Sequence, residues 1–185
     1  MKRLNLRNAV TRWHVIGVPV IIFIGVLMHF AFSFLGKPLF LAPFFPVNES
    51  VWEHLKMAFW PALLWWVIGY WALRGKASPS GRLWFTAAFF AVITPLWLII
   101  TFYYFYTSAF GIESAFIDAA IYILAVATGQ AAGLWLYRRL PERRVLFFAG
   151  VFLLIALAAA FIWFTFDPPE VALFYDFRHR LYGIR

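Results

Sequence analysis

Long apolar runs separated by short polar segments set the pattern of the chain. Five such runs of about 17 to 25 residues follow one another, and an α-helix needs about 20 apolar residues to cross a bilayer. We therefore predict an all-α integral membrane protein, with a single membrane domain over residues 1–185 that forms a five-transmembrane-helix bundle. The predicted spans are residues 13–35, 57–73, 83–106, 113–137 and 145–166.

The composition agrees with a lipid environment. Hydrophobic residues make up 64% of the chain and charged residues only 13%, so the apolar surface exceeds what the polar groups can cover. The 10 tryptophans fit the aromatic belts found at membrane interfaces. The sequence has no cysteine, which excludes disulfides and thiolate chemistry, so a bound metal would need histidine, carboxylate or carbonyl ligands.

The net charge of +8 does not predict a nucleic-acid partner here, because most basic residues lie in short loops between apolar runs. Of the 16 Lys and Arg residues, 11 lie before residue 13 or in the loops 74–82 and 138–144. The positive-inside rule makes these segments cytoplasmic. It predicts a cytoplasmic N-terminus, an outer tail over residues 167–185 and a multi-pass location in the cell (inner) membrane. Seven of the eight acidic residues then lie on the outer half.

The most polar stretch, residues 46–56, reads Pro-Val-Asn-Glu-Ser-Val-Trp-Glu-His-Leu-Lys and adjoins the second predicted span. We call it the polar box. Asn48 is expected to cap that helix, and Ser50 with Glu53 has the spacing of a capping box. Ordinary capping is one interpretation of the carboxylates, since helix N-termini favour negative charge. A functional site is the other, because charges beside lipid are costly.

Helical spacing within the polar box predicts which of its side chains meet. Glu49 and Glu53 are four residues apart and are expected to share a face, as are Ser50 and His54. Two carboxylates on one face repel each other unless a cation lies between them. Lys56 or a metal ion would be that cation. Ser50 with His54 resembles a nucleophile–base pair in spacing alone.

Depth along the predicted helices brings further ionisable groups to the same layer. His29 lies about 24 Å into the first span, and Asp118 lies about 9 Å below the outer surface. We therefore predict a site near the outer surface with His29, Glu49, His54 and Asp118 as ligands of a divalent metal such as zinc. In that site Glu53, His54 and Asp118 are the predicted catalytic acid–base groups.

Each of these residues also has a structural interpretation. Asp118 would form a salt bridge with Lys56 or Arg178, and His29 would be a hydrogen-bonded interior histidine. The outer tail, with Asp176 and His179, is predicted to fold over the mouth of the bundle as a lid near the polar box; fraying in solvent is the alternative.

Two other features are predicted to be structural. Pro61 should kink the second helix and leave the Met57 carbonyl without its usual partner. Gly129 and Gly133 have the small-xxx-small spacing that lets two helices approach closely.

The polar box and the tail resemble a family of small bacterial and archaeal multi-pass membrane proteins of unknown function. The resemblance covers most of the chain and implies a compact helical membrane protein, without implying a reaction. In the tail it is carried by Asp167-x-Pro169, Leu173-Phe174-x-Asp176 and Tyr182-Gly183-Ile184.

Two functions remain open from the sequence. The first is a metal-dependent hydrolase that acts on a lipid or small amphiphile at an outward-facing His/carboxylate site. The second is a non-catalytic accessory or structural subunit of a membrane complex, in which the polar box joins helices and aromatic faces pack against partner membrane subunits. An ion-coupled carrier is disfavoured, because the chain has five predicted spans and no visible inverted repeat.

Overall fold

The computed structural model describes the backbone of residues 2–77 and 79–184 and the side chains of residues 9–75 and 79–184. This part of the chain forms five α-helices followed by a short antiparallel hairpin of two strands. The elements are α1 Lys2–Phe34, α2 Val51–Ala77, α3 Gly81–Phe110, α4 Ala115–Arg139, α5 Arg144–Phe166, β1 Tyr175–Asp176 and β2 Leu181–Tyr182. Five basic side chains counted for the orientation lie outside the described residues: Lys2, Arg3, Arg7, Lys76 and Arg185.

Four of the described helices are long and apolar enough to cross a membrane. The helix α2 has 27 residues but is not one of the four, because its five tryptophans and the charged residues near both ends lower its hydropathy. The all-α prediction is confirmed, and four apolar helices of this length fit a multi-pass membrane protein. The candidate spans are Ala9–Phe34, Gly81–Phe110, Ala115–Arg139 and Arg144–Phe166.

Several helices extend beyond the predicted apolar limits. The helix α1 begins at Lys2 rather than near residue 13. The helix α3 continues to Phe110, after which Gly111 adopts a left-handed φ of 64° and its N–H donates to the Thr107 carbonyl. An apolar boundary marks where polar side chains begin, and polar residues are able to continue a helix past that point.

The helix α3 packs against α2, α4 and α5, while α1 packs against α2 and α4. Gly129 and Gly133 of α4 face Ala91 of α3 at close range. A Cβ atom on Gly129 would lie 2.6 Å from the Ala91 carbonyl oxygen, and one on Gly133 would lie 2.6 Å from the Ala91 Cβ. The predicted close contact of small residues is therefore confirmed, and it joins α3 to α4.

Pro61 lies inside the continuous helix α2, and a tyrosine bonds the Met57 carbonyl that the proline leaves free. Proline removes the N–H that would bond the carbonyl four residues earlier, which is that of Met57. The Tyr122 hydroxyl of α4 lies 3.2 Å from this oxygen and 3.4 Å from the Ile21 carbonyl oxygen of α1. One side chain thus connects α4 to α1 and α2 at the proline.

We expect Gly129→Ala to lower the free energy of unfolding by about 1–3 kcal/mol, because the added methyl group forces α3 and α4 apart. The matched control is Gly75→Ala, since a Cβ there meets nothing within 4 Å, and this change should be neutral or slightly stabilising. Unfolding of both variants in detergent, followed by circular dichroism, measures the difference. Equal stabilities would contradict the close packing.

Candidate functional site

The polar box begins with a turn that ends in the first residue of α2. The Asn48 side chain accepts a hydrogen bond from the Ser50 N–H (2.9 Å), and the Ser50 hydroxyl accepts one from the Glu53 N–H (3.3 Å). Because α2 starts at Val51, Ser50 is its cap, and the prediction that Asn48 caps the helix was wrong. The Glu53 carboxylate accepts from the Val47 N–H at 3.0 Å and so ties the preceding loop to the helix.

A buried ion pair lies directly behind this turn. Lys56 and Glu53 are 0% and 2% exposed, and the Lys56 Nζ atom lies 2.6 Å from Glu53 Oε2. The ammonium also donates to Thr165 Oγ1 of α5 at 2.6 Å and to the Ala42 carbonyl at 3.0 Å, with the Phe45 carbonyl at 3.4 Å. Lys56 therefore joins α2 to α5 and to the loop before it.

The prediction that Glu49 and Glu53 stack on one helical face was wrong. Glu49 precedes the first residue of α2, so the two carboxylates do not follow helical spacing. Glu53 turns inward to Lys56, whereas Glu49 remains partly exposed and faces His54. The cap at Ser50 thus separates the carboxylates into a buried one and an accessible one.

Three potential ligands meet on the accessible side of the polar box: His29 from α1, Glu49 from the loop and His54 from α2. One ligand atom from each lies within 4.8 Å of the other two. The His54 Nε2 atom is 3.6 Å from Glu49 Oε2, and the imidazole centroids of His29 and His54 are 5.1 Å apart. We call these residues the His–Glu–His cluster.

Hydrogen bonding orients the two histidine rings of this cluster. The His54 Nδ1 atom lies 2.9 Å from the Ser50 carbonyl oxygen. Since that oxygen only accepts, Nδ1 carries a proton in this contact, and in the neutral ring the lone pair is on Nε2. The His29 Nδ1 atom is buried, and no described residue offers it a hydrogen bond. This arrangement also excludes the Ser50–His54 nucleophile–base pair, because the His54 ring bonds the Ser50 carbonyl rather than its hydroxyl.

Asp118 is not among the described residues whose ligand atoms gather in the His–Glu–His cluster. Its Oδ1 atom accepts a hydrogen bond of 2.7 Å from the Tyr106 hydroxyl, and that hydroxyl also accepts from the Ser114 N–H. The predicted metal set thus converges in three of its four residues. Of the predicted catalytic residues, only His54 lies in the cluster, because Glu53 is paired with Lys56 and Asp118 with Tyr106.

The tail lies against the polar box, as the lid interpretation expected. The Asn48 side chain donates to the Gly183 carbonyl at 2.8 Å, and the Glu49 N–H donates to Asp176 Oδ2 at 2.9 Å. The Asp176 Oδ2 atom is also 2.8 Å from His179 Nδ1, while Oδ1 accepts from the N–H groups of Arg178 and His179. The backbone of a cluster residue, Glu49, is thus held by the tail.

Asp176 is completely buried, yet the pKa of its carboxyl group is lowered rather than raised. Burial alone would raise the pKa of this carboxyl group. Hydrogen bonds from the Glu49 N–H, the His179 N–H and the His179 ring have the opposite effect. Together they exceed the effect of burial and hold the pKa below its ordinary value of 3.8. An ionised carboxylate that accepts several hydrogen bonds is a strong anchor for the tail.

Sequence reasoning offered Lys56 as a cation for the Glu49 and Glu53 carboxylates, and the structure pairs it with Glu53. It missed Thr165 as a further partner of Lys56. Lys56 stands three residues after Glu53, where a helical ion pair is geometrically allowed. Thr165 is a hydroxyl residue one position before the end of the otherwise apolar α5.

We expect Lys56→Met to lower the free energy of unfolding by about 3–5 kcal/mol, because it leaves the Glu53 carboxylate buried without its counter-charge. The double variant Lys56→Met with Glu53→Gln should recover part of this loss. Arg82→Met is the control, because Arg82 pairs with Glu142 at the exposed surface and such pairs contribute about 0–1 kcal/mol. Equal losses for Lys56→Met and Arg82→Met in denaturant unfolding would show that the buried pair has no special role.

Comparison with known proteins identifies the family to which the chain belongs. No curated protein and no solved structure matches it. The sequence model of a family described as "Family of unknown function (DUF6512)" matches residues 1–184. The match covers every helix and both strands, and the chain therefore belongs to this family of unknown function.

Proposed function

We propose that the protein is a zinc-dependent hydrolase of the membrane, which acts on a lipid or small amphiphile at the His–Glu–His cluster. The observation that carries this proposal is the convergence of His29, Glu49 and His54 within 4.8 Å from three separate parts of the chain. Divalent metal binding is the simplest use of two histidine nitrogens and a carboxylate at this separation.

The three potential ligands suit zinc and would leave one coordination position open for water or substrate. Catalytic zinc sites have three protein ligands and an open fourth position, and a water bound there has a pKa of about 7. Tetrahedral bonds of about 2.0–2.2 Å put adjacent ligand atoms about 3.3–3.6 Å apart, and His54 Nε2 lies 3.6 Å from Glu49 Oε2. The hydrogen bond from His54 Nδ1 to a backbone carbonyl is the support that metal-binding histidines commonly have.

The surroundings of the cluster favour a substrate with an apolar part. Next to His29 on α1, the Phe30 ring lies 4.7 Å away and is mostly exposed, and Phe34 is 89% exposed one turn further on. In a membrane these rings face acyl chains or the interface. Glu49 and His54 keep about a third of their side-chain surface accessible, so a polar group of the substrate has a path to them.

The orientation that we propose has five spans, with α2 as the second, in the cell inner membrane. The N-terminus is cytoplasmic, and the cluster and tail are outside. The two basic loops lie at one end of the bundle, since Ser80 and Arg82 both contact the Glu142 carboxylate. Arg138 of α4 bonds Thr11 of α1 at the same end. This gathering of basic segments is what the positive-inside rule requires.

A second candidate is a non-catalytic subunit of a membrane complex. The observation in its favour is that Glu53, Lys56 and Thr165 are used entirely within the bundle, so part of the polar box is structural. In that case the His–Glu–His cluster binds no metal, and the protein co-purifies with partner membrane subunits. The two candidates therefore differ in the metal content of the pure protein.

The purified protein is expected to bind one zinc ion per chain. His54→Ala and Glu49→Gln should each weaken binding by more than the roughly 10- to 100-fold that loss of a supporting hydrogen bond costs. Asp118→Asn is the control and should bind zinc as the unchanged protein does, because Asp118 is hydrogen-bonded to Tyr106 instead. Zinc titration by calorimetry in detergent measures the affinities. Undiminished binding by His54→Ala would rule out this site.

Hydrolysis is tested separately in vesicles of phosphatidylethanolamine and phosphatidylglycerol that contain the zinc-loaded protein. We expect release of fatty acid or headgroup, detected by mass spectrometry, that stops on chelation and is absent for His54→Ala. Zinc binding without any lipid product would refute the hydrolase while leaving the metal site intact. Product formation by the zinc-free protein would refute the role of the metal.

A further inference from the structure

The three residues of the His–Glu–His cluster are not held equally well by the helices. His29 and His54 lie within α1 and α2, so helical hydrogen bonds and the packing of these two helices fix their backbones. Glu49 is exposed and precedes the first residue of α2. A metal site binds tightly when its ligands are held in position beforehand. Glu49 is therefore the ligand whose position depends on a support from outside the helices.

The tail supplies such a support. The Glu49 N–H donates to Asp176 Oδ2 at 2.9 Å, and the neighbouring Asn48 side chain donates to the Gly183 carbonyl at 2.8 Å. The partners lie 127 and 135 positions further along the chain. The short segment that carries the Glu49 carboxylate is thus bonded to the tail at two consecutive residues.

Asp176 is itself fixed within the tail. Its Oδ1 atom accepts hydrogen bonds of 2.9 Å from the N–H groups of Arg178 and His179, in the turn between β1 and β2. Its Oδ2 atom lies 2.8 Å from His179 Nδ1. The two oxygens therefore have different tasks, because Oδ1 bonds only within the hairpin and Oδ2 also reaches the polar box.

Apolar packing docks the tail independently of this carboxylate. Phe174 is 6% exposed, and its ring centroid lies 4.8 Å from that of Trp52 and 5.3 Å from that of Phe164. These rings belong to the tail, α2 and α5 and do not involve the oxygens of Asp176. A change confined to the Asp176 carboxylate should therefore release Glu49 while the tail stays against the bundle.

We propose that Asp176 is a positioning residue of the metal site, which acts through the Glu49 N–H to direct the Glu49 carboxylate towards His54. The inference rests on the metal binding proposed for the His–Glu–His cluster. Asp176 is not itself one of the ligands; it fixes the backbone from which one ligand extends. Coupling between two sites acts in both directions, so a bound metal in turn holds the tail in place.

Zinc titration of the full chain in detergent, followed by calorimetry, tests the role of Asp176. Asp176→Asn keeps the shape of the side chain but replaces one acceptor oxygen with an N–H2 group, so it cannot serve both the hairpin and the Glu49 N–H. It should weaken zinc binding by about 10- to 100-fold, as loss of a residue that supports a metal ligand does. Asp167→Asn is the matched control and should bind zinc as the unchanged protein does, because Asp167 is exposed at the end of α5.

A double-mutant cycle separates positioning from a general loss of structure. In the Glu49→Gln background the carboxylate that Asp176 positions is gone, so Asp176→Asn should cause no further loss of zinc affinity. Hydrogen exchange of the unchanged protein measures the coupling without any substitution. Zinc should slow exchange of the Glu49 amide and of residues 174–183 by at least about tenfold, and it should leave the loop 138–144 at the opposite end of the bundle unaffected.

The outcomes distinguish the positioning role from the metal site. Zinc binding that Asp176→Asn leaves unchanged, or an equal loss from Asp176→Asn with and without Glu49→Gln, would overturn the positioning role alone. If Asp176→Asn fails to fold, hydrogen exchange decides, and equal exchange of residues 174–183 with and without bound zinc would overturn the proposal. Failure of the unchanged protein to bind zinc would overturn the metal site, and this inference with it.

Discussion

A completely buried ammonium group organises one end of this bundle. Lys56 is surrounded by a carboxylate, a hydroxyl and backbone carbonyls that belong to α2, α5 and the loop before α2. Buried ion pairs add little net stability, because desolvation cancels most of the attraction. Such a pair instead favours one arrangement of the chain, since an arrangement that separates the two groups leaves a buried charge unpaired. Lys56 therefore determines where the head of α2, the loop and the end of α5 lie relative to one another.

This constraint also determines which polar groups remain available. Glu53 is used by Lys56 and by the Val47 N–H, so its carboxylate is closed to a ligand. Glu49, one residue before the Ser50 cap, is directed to the accessible side, and there His54 meets it. The tail secures this arrangement, because Asp176 accepts the Glu49 N–H across 127 positions of the sequence. The polar box is thus divided into a buried part that fixes the chain and an accessible part with free ligand atoms.

The sequence predicted well how far along its helix each polar residue lies, but it predicted poorly the direction in which the side chain points around the helix axis. The rise per residue of a helix is constant, so counting residues correctly brought His29 to the layer of His54. The same count placed Asp118 at that level, but the direction in which it points depends on how α4 is rotated. The close contact of Gly129 with Ala91 sets that rotation, and it is a tertiary contact.

Local pattern had a similar limit in the polar box and the tail. The capping signal of Ser50 and Glu53 was visible in the sequence. Whether Glu49 belongs to the helix depends on which residue is the first helical one. The helix starts two residues later than expected, and this separates two carboxylates that were expected to stack. The apolar run within the tail predicted that the tail packs against the bundle. Its hydrogen-bond partners, Asn48 and the Glu49 N–H, are long-range, and no local pattern identifies them.

The two histidines of α1 show how one helix serves two different environments. They are 15 residues apart, which places them within about 60° of each other around the helix axis, so both face the bundle interior. At the tail end, His29 finds a carboxylate and a second imidazole, donors that suit a cation. At the other end, His14 finds Gln130, two indole rings and an apolar space open towards lipid. The same side chain on the same helix face therefore has a carboxylate and an imidazole as neighbours at one end, and an amide and two indole rings at the other. The difference arises from what α2 and α4 place opposite it.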